Sequence, residues 1–194
     1  MIPGCASAWI GYGVALLREG DLDSAESALA EANALDSSNA NAWGWLCVVS
    51  LSANRIDDAE RAVASAFKNG LRDPDLLSEI AQLFLENGGW KHSEASARRS
   101  LKFGGGIDTR LCLGRASRER GDPDGAAVEL KFALALALDY SSKQSPSYEN
   151  NVEKNVEACI PLLLAELALA YDELGDSRKA EECRRDLRVM EREQ

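Results

Sequence analysis

Residues 8–70 read AWIGYGVALLREGDLDSAESALAEANALDSSNANAWGWLCVVSLSANRIDDAERAVASAFKNG, and the stretch repeats itself. Trp9 and Trp43 are 34 residues apart, as are Ala25 and Ala59, Leu29 and Val63, and Gly20 and Asn54. The step continues through Ala32, Ala66 and Ser100, and through Leu46 and Ile80, with Leu113 after 33. Gly88 follows Asn54 by 34, Gly121 comes 33 later, and Gly175 closes the last turn. A period of this length marks one supersecondary unit repeated along the chain.

Each period predicts two antiparallel helices joined by a tight turn. Gly20-Asp21-Leu22-Asp23-Ser24 and Gly121-Asp122-Pro123-Asp124 place a glycine after one helix and acidic caps before the next. Small residues (Gly13, Gly114, Ala25, Ala59) suit helix crossings, where only a small side chain permits close approach. Trp9, Trp43 and Leu46 are expected to fill the seam to the next hairpin. One hairpin cannot bury its own apolar face, so neighbours must stack.

The pattern resembles the tetratricopeptide family. Trp9, Gly13, Gly20, Ala25, Leu29 and Ala32 carry the first unit, and Trp43, Leu46, Ala59, Val63 and Ala66 the second. Leu77, Ile80, Ala81, Phe84 and Gly88 carry a third, and Leu113, Gly114, Gly121, Ala126, Leu130 and Ala133 a fourth. Leu164, Leu167, Ala168, Tyr171, Gly175 and Ala180 carry a fifth. The resemblance implies an all-α, right-handed superhelical solenoid of about five hairpins in a single domain. The expected repeats are 6–39, 40–73, 74–106, 107–140 and 161–194, with an insertion over 141–160.

The insertion follows from spacing, since Gly121 and Gly175 lie 54 residues apart. A loop is expected over Tyr140–Pro146, and then Val152, Val156, Cys159, Ile160 and Leu163 recur at helical spacing. They predict a long helix over about 148–174, bent or restarted near Pro161, where a backbone donor is lost. Gly104-Gly105-Gly106 is a second, softer joint, and the charged stretch Arg178–Leu187 reads as a soluble cap. Ser145-Pro146 is a candidate phosphorylation dipeptide.

Composition narrows the function. The chain carries 22 basic and 32 acidic residues, a net charge of −10, so a nucleic-acid backbone is disfavoured as a partner. No run of 18 apolar residues predicts a membrane span, and Met1-Ile2-Pro3-Gly4-Cys5 lacks the features of a secretion signal. The five cysteines (5, 47, 112, 159, 183) form no Cys-x-x-Cys pair and sit among small or apolar neighbours. They are expected to be reduced thiols acting as small hydrophobes in a reducing, cytoplasmic compartment. No cofactor or metal motif is present. The single histidine, His92, is expected on a solvated turn, and Glu166, Asp172 and Glu173 read as the polar face of a helix. General acid–base catalysis has little to build on, so the chain is expected not to be an enzyme.

Peptide-contact positions of the family fall on Ile10, Val14 and Leu17, then on Asn41, Trp45, Val48 and Leu51. Later units offer Asp75, Ser78, Glu79 and Gln82, then Asp108, Leu111, Arg115 and Arg118. Chaperone-binding members hold a carboxylate with basic groups, whereas Asp75 and Glu79 would repel one. The apolar stripe has two readings: it packs against further N-terminal segments of the same protein, or it receives an amphipathic or apolar peptide. A basic cluster (Arg98, Arg99, Lys102, Arg110, Arg115, Arg118, Arg120) also has two: internal charge balance, or a patch for an acidic partner.

The run Glu31–Asp36, followed by Asn39–Trp43 and Leu46 and later by Leu76–Ile80, is similar to the C-terminal repeat region of the cilia- and flagella-associated protein 70 family, over roughly residues 7–100. That resemblance implies a non-catalytic axonemal scaffold, associated with dynein arms or the central apparatus and supporting ciliary motility, with this chain a fragment of a longer protein. The alternative is a general cytosolic adaptor binding a helical or apolar peptide in its groove.

Overall fold

The structure is a computed structural model that describes residues 4–143 and 151–193. Among the described residues there are ten α-helices and no strand. They are α1 (Ala6–Glu19), α2 (Leu22–Leu35), α3 (Ala40–Ser52), α4 (Ile56–Lys68), α5 (Pro74–Glu86), α6 (Trp90–Lys102), α7 (Ile107–Glu119), α8 (Pro123–Lys143), α9 (Asn151–Glu173) and α10 (Ser177–Glu193).

The recurring turn residue explains the helix ends. Gly20, Gly88, Gly121 and Gly175 all have positive φ (85°, 74°, 85° and 74°), and Asn54 holds the same place at 56°. A left-handed residue there lets the next amide reach back to the carbonyl five residues earlier. That bond recurs as Asp21→Leu16 (3.0 Å), Arg55→Ser50 (2.8 Å), Gly89→Phe84 (2.7 Å), Asp122→Ser117 (3.0 Å) and Asp176→Tyr171 (2.9 Å). Carboxylate or amide side chains then cap the following helices. Asp21 accepts from the Ser24 amide at 3.1 Å, Asn39 from Asn41 and Ala42, Asp73 from Asp75 and Leu76, and Asp122 from Gly125 at 2.9 Å.

The chain divides into two compact units, Met1–Phe103 and Gly104–Gln194, and the division falls at the expected glycine joint. In the first unit the hairpins α1–α2, α3–α4 and α5–α6 share a core that includes Leu29, Val48, Val63, Leu71, Leu76, Leu77, Ile80 and Phe84. Each such side chain contributes about 1.5–3 kcal/mol by leaving water. An exposed ion pair contributes about 0–1 kcal/mol, so the apolar seams hold the hairpins together. At the crossings a Cβ on Gly13 would lie 2.8 Å from Leu29 Cγ, and one on Gly114 2.6 Å from Leu130 Cγ.

In the second unit α7 packs on α8, α8 on α9, and α9 on α10. The α10 residues Ala180, Cys183, Leu187 and Met190 recur at helical spacing and pack into its core. The loop expected over Tyr140–Pro146 does not begin at Tyr140, because α8 runs on through Lys143. No glycine or proline interrupts α8 after Gly125, and Ser141 and Ser142 favour helix ends without forcing one. The remainder of that loop, with Ser145-Pro146, lies outside the described residues. Helix α9 passes through Pro161 without a restart. The lost donor is outweighed by burial of Ile160, Leu163 and Leu164 beside it.

Three local expectations also change. Trp9 does not enter the core seam. It meets Tyr12 edge-on with ring centroids 6.3 Å apart, and both line an open recess of about 400 Å³ with Leu16, Ala28 and Glu31. His92 lies in α6 rather than on a turn, stacked on Phe84 at 4.9 Å with Nδ1 3.4 Å from Glu60. Glu166 is not on a solvated polar face: it is 7% exposed.

Candidate functional site

Helices α1, α3 and α5 are neighbours and share one face of the first unit. Ile10, Val14 and Arg18 follow one another along α1 at four-residue spacing, and Trp45 of α3 lies on the same face. Ile10 and Val14 are half-buried, and Ile10 packs against the core. Arg18 spans the face: its Nη1 and Nη2 donate to Glu79 Oε1 and Oε2 of α5, both at 2.7 Å. Its guanidinium carbon lies 5.4 Å from the Trp45 ring centroid. The hydrogen bonds to Glu79 hold Arg18 above its ordinary value, against a smaller opposing effect of burial.

Several residues assigned to a groove are not available to a partner. Leu17, Val48 and Leu51 are buried, at 9%, 1% and 2% exposure, and belong to the core. The cause is α3 itself, which is apolar nearly all round, with Ala42, Gly44 and Cys47 through Leu51 all buried. No polar stripe marks its outer face, so counting by period cannot separate groove from core. Asn41 is exposed at the start of α3, and Trp45 is half-buried. Asp75 and Gln82 are exposed on α5.

Arg115 and Arg118 were expected in the same groove, and here they are occupied internally. Arg115 Nε donates to Glu166 Oε1 at 2.7 Å, and Arg118 Nη2 to Glu166 Oε2 at 3.1 Å. Arg118 Nη1 also reaches Glu173 at 3.0 Å. A buried carboxylate needs compensating charge, and two guanidinia supply it. Other members of the basic cluster are paired too: Arg98 with Glu94, Arg110 with Glu129, and Arg120 with Asp122. Arg99 donates to the Leu71 carbonyl at 2.8 Å and lies over Phe67 at 4.9 Å. Internal carboxylates therefore balance all of these arginines but Arg99, whose partners are a carbonyl and a ring.

The cysteines are free. Burial pushes the Cys47 thiol up to about 12. Burial, then the hydrogen bond to Asp108 at 3.1 Å, does the same for Cys159, also to about 12. Among the described residues no group of three or more His, Cys, Asp and Glu is placed to hold a metal ion, and no helix is long and apolar enough to cross a membrane.

Sequence reasoning missed the Arg18–Glu79 contact, although it had singled out Glu79. The partners lie 61 residues apart, and Glu79 stands two periods after Gly11 rather than after Arg18. The helices must fan before the pair can meet, and the period alone does not reveal that. The one available signal was that Arg18 is the only cation in α1, α3 and α5.

Solved structures with this fold include YrrB, described as a tetratricopeptide protein with an unusual peptide-binding site. It has a TM-score of 0.68 and 16% identity, covering 93% of this chain and 83% of that one. BtubC (BKLC) from P. vanneervenii has a TM-score of 0.66 and 18% identity over 95% of this chain and 79% of its own. At such identity these likenesses speak for the fold alone. Cilia- and flagella-associated protein 70 of Macaca fascicularis is 43% identical over 81 residues, which is 42% of this chain and 8% of the relative. The Homo sapiens protein of that name is also 43% identical over 81 residues, 7% of its length. The matched stretch thus covers less than a tenth of these curated relatives. The profile of the cilia and flagella-associated protein 70 C-terminal domain matches residues 1–154, well beyond the stretch 7–100 that carries the resemblance in the sequence. With hairpins, turn chemistry and profile in agreement, the chain belongs to the family of the cilia and flagella-associated protein 70 C-terminal domain.

Proposed function

We propose that this chain is a non-catalytic interaction scaffold of a ciliary or flagellar assembly, holding axonemal subunits that support motility, such as those of dynein arms or the central apparatus. The observation that carries this reading is the family match over residues 1–154, on helical hairpins that stack within the first unit. Such arrays present extended surfaces made of successive helices. The face of α1, α3 and α5 is the docking surface in this reading, with Ile10, Val14, Asn41 and Trp45 as the accessible members of the expected set. Arg115 and Arg118 act inside the second unit instead, as the partners of Glu166.

The test is capture of partners by tagged chain in ciliated and unciliated cells. Axonemal subunits should be retained from ciliated cells and lost on Trp45→Ala. Recovery of ordinary cytosolic clients alone, equally from both cell types, would overturn the ciliary reading in favour of a general adaptor.

A further inference from the structure

The contact between Arg18, Trp45 and Glu79 has the form of a recognition site already filled. A guanidinium lies over an indole at 5.4 Å, and its two terminal nitrogens each meet one oxygen of a single carboxylate at 2.7 Å. A cation–π approach combined with a two-pronged bond is the geometry that suits arginine better than lysine. The arginine that fills the site can leave it for water, since the Arg18 side chain is 58% exposed at the last turn of α1, while Glu79 is 25% exposed. Another guanidinium making the same bonds can therefore take its place without leaving a charge buried and unpaired.

The charge of the face selects what would replace it. Helices α1, α3 and α5 carry Glu19, Asp75, Glu79 and Glu86 but only one cation, Arg18. An acidic ligand would gain that single arginine and meet the carboxylates of α5. A cationic ligand gains Glu79, with Asp75 one turn away on the same helix. Ile10 and Val14, at four-residue steps before Arg18, add half-buried apolar surface alongside.

We infer that the α1–α3–α5 face binds a partner segment carrying an arginine flanked by apolar residues, and that this arginine displaces Arg18 from Trp45 and Glu79. Arg18 is then an internal stand-in for the ligand, which keeps the face occupied until a partner arrives. The inference rests on the reading of this face as the docking surface and names the chemistry it selects. No covalent step is involved; one guanidinium leaves for water as the other enters.

The probe is a short amphipathic peptide of leucine, alanine and serine with one arginine, compared with versions carrying lysine, citrulline or glutamate at that position. Binding to the full chain is followed by the indole N–H resonances, with Trp45 assigned by Trp45→Phe. The arginine peptide should move the Trp45 signal and bind about fivefold or more tighter than the lysine or citrulline peptides. Glu79→Gln should weaken it about tenfold, whereas Arg18→Ala should tighten it roughly threefold by removing the competitor. Circular dichroism confirms that both variants are folded. A strut role for Arg18 predicts no tightening, and unchanged or weaker binding to Arg18→Ala overturns the inference. Equal binding of the arginine and citrulline peptides also overturns it. If cellular partners are still lost on Trp45→Ala in that case, the face remains a docking surface of other chemistry. If they are retained, the docking reading of the face falls as well.

Discussion

The unit Met1–Phe103 has a core of large side chains, with Leu29, Leu71, Leu76, Leu77, Ile80 and Phe84 all essentially inaccessible. The unit Gly104–Gln194 repeats the hairpin with fewer such side chains fully buried: Leu113, Leu130 and Leu163. The polar ties differ in the opposite sense. In the first unit they are open to water, as Arg18–Glu79 and Arg55–Glu26 show. In the second, Glu166 is buried between Arg115 and Arg118. Each large side chain fully buried contributes about 1.5–3 kcal/mol, so the second unit depends more on charge that must stay paired. One fold thus leans on side-chain volume in one half and on a buried carboxylate between guanidinia in the other.

The contrast is measurable because all four tryptophans (Trp9, Trp43, Trp45 and Trp90) lie in the first unit. Indole fluorescence reads that unit, while far-ultraviolet dichroism reads both. Phe84→Ala should have the largest effect, a loss of about 3–5 kcal/mol, because a fully buried ring is replaced by a cavity. The fluorescence transition in urea should move to much lower denaturant; an unmoved transition would break the volume half of the comparison. Glu166→Ala should cost about 2–3 kcal/mol, at the low end for a broken buried pair because Arg115 is 40% exposed. That loss should appear in dichroism and leave the fluorescence midpoint unchanged.

Gly114→Ala opposes two effects. Alanine gains about 1 kcal/mol of helix propensity, but its Cβ would sit 2.6 Å from the branch atom of Leu130, itself fully buried. Overpacking costs about 1–3 kcal/mol, so a net loss of about 1 kcal/mol is expected in the dichroism transition. A stabilised variant would show that the crossing is looser than it looks. The smallest effect on stability, and the clearest on chemistry, is thiol reactivity. Hydrogen bonds from the Ala8 and Ser7 amides hold exposed Cys5 below the usual thiol value, whereas Cys159 is pushed up to about 12. The thiolate is the reacting form, so at neutral pH Cys5 should be alkylated first, Cys159 far more slowly, and buried Cys47 only on unfolding. Mass mapping after a short iodoacetamide pulse checks the order.

Much of the fold was legible because turn chemistry is local. Gly20, Asn54, Gly88, Gly121 and Gly175 could be aligned by counting, and each adopts the left-handed conformation that ends its helix. The face was legible only in part. Ile10, Val14 and Trp45 are half-buried on α1 and α3, but the apolar sequence of α3 hid that Val48 and Leu51 point to the core. Pairings at long separation were not legible. Arg115 meets Glu166 51 residues away, and Arg18 meets Glu79 at 61, distances set by how helices lie against each other rather than by any nearby signal. Tyr140 to Lys143 misled for a different reason: a broken repeat spacing suggests a loop, yet a helix can lengthen to absorb extra residues.

The offset of 51 recurs on one pair of helices. Cys159 meets Asp108 with the same separation that joins Glu166 to Arg115. A slide of α7 along α9 by one turn would displace both contacts by about 5.4 Å. A slide of that size would strand a buried carboxylate away from both guanidinia. Glu166 therefore works as a register key: only one alignment of the two helices brings it to both guanidinia.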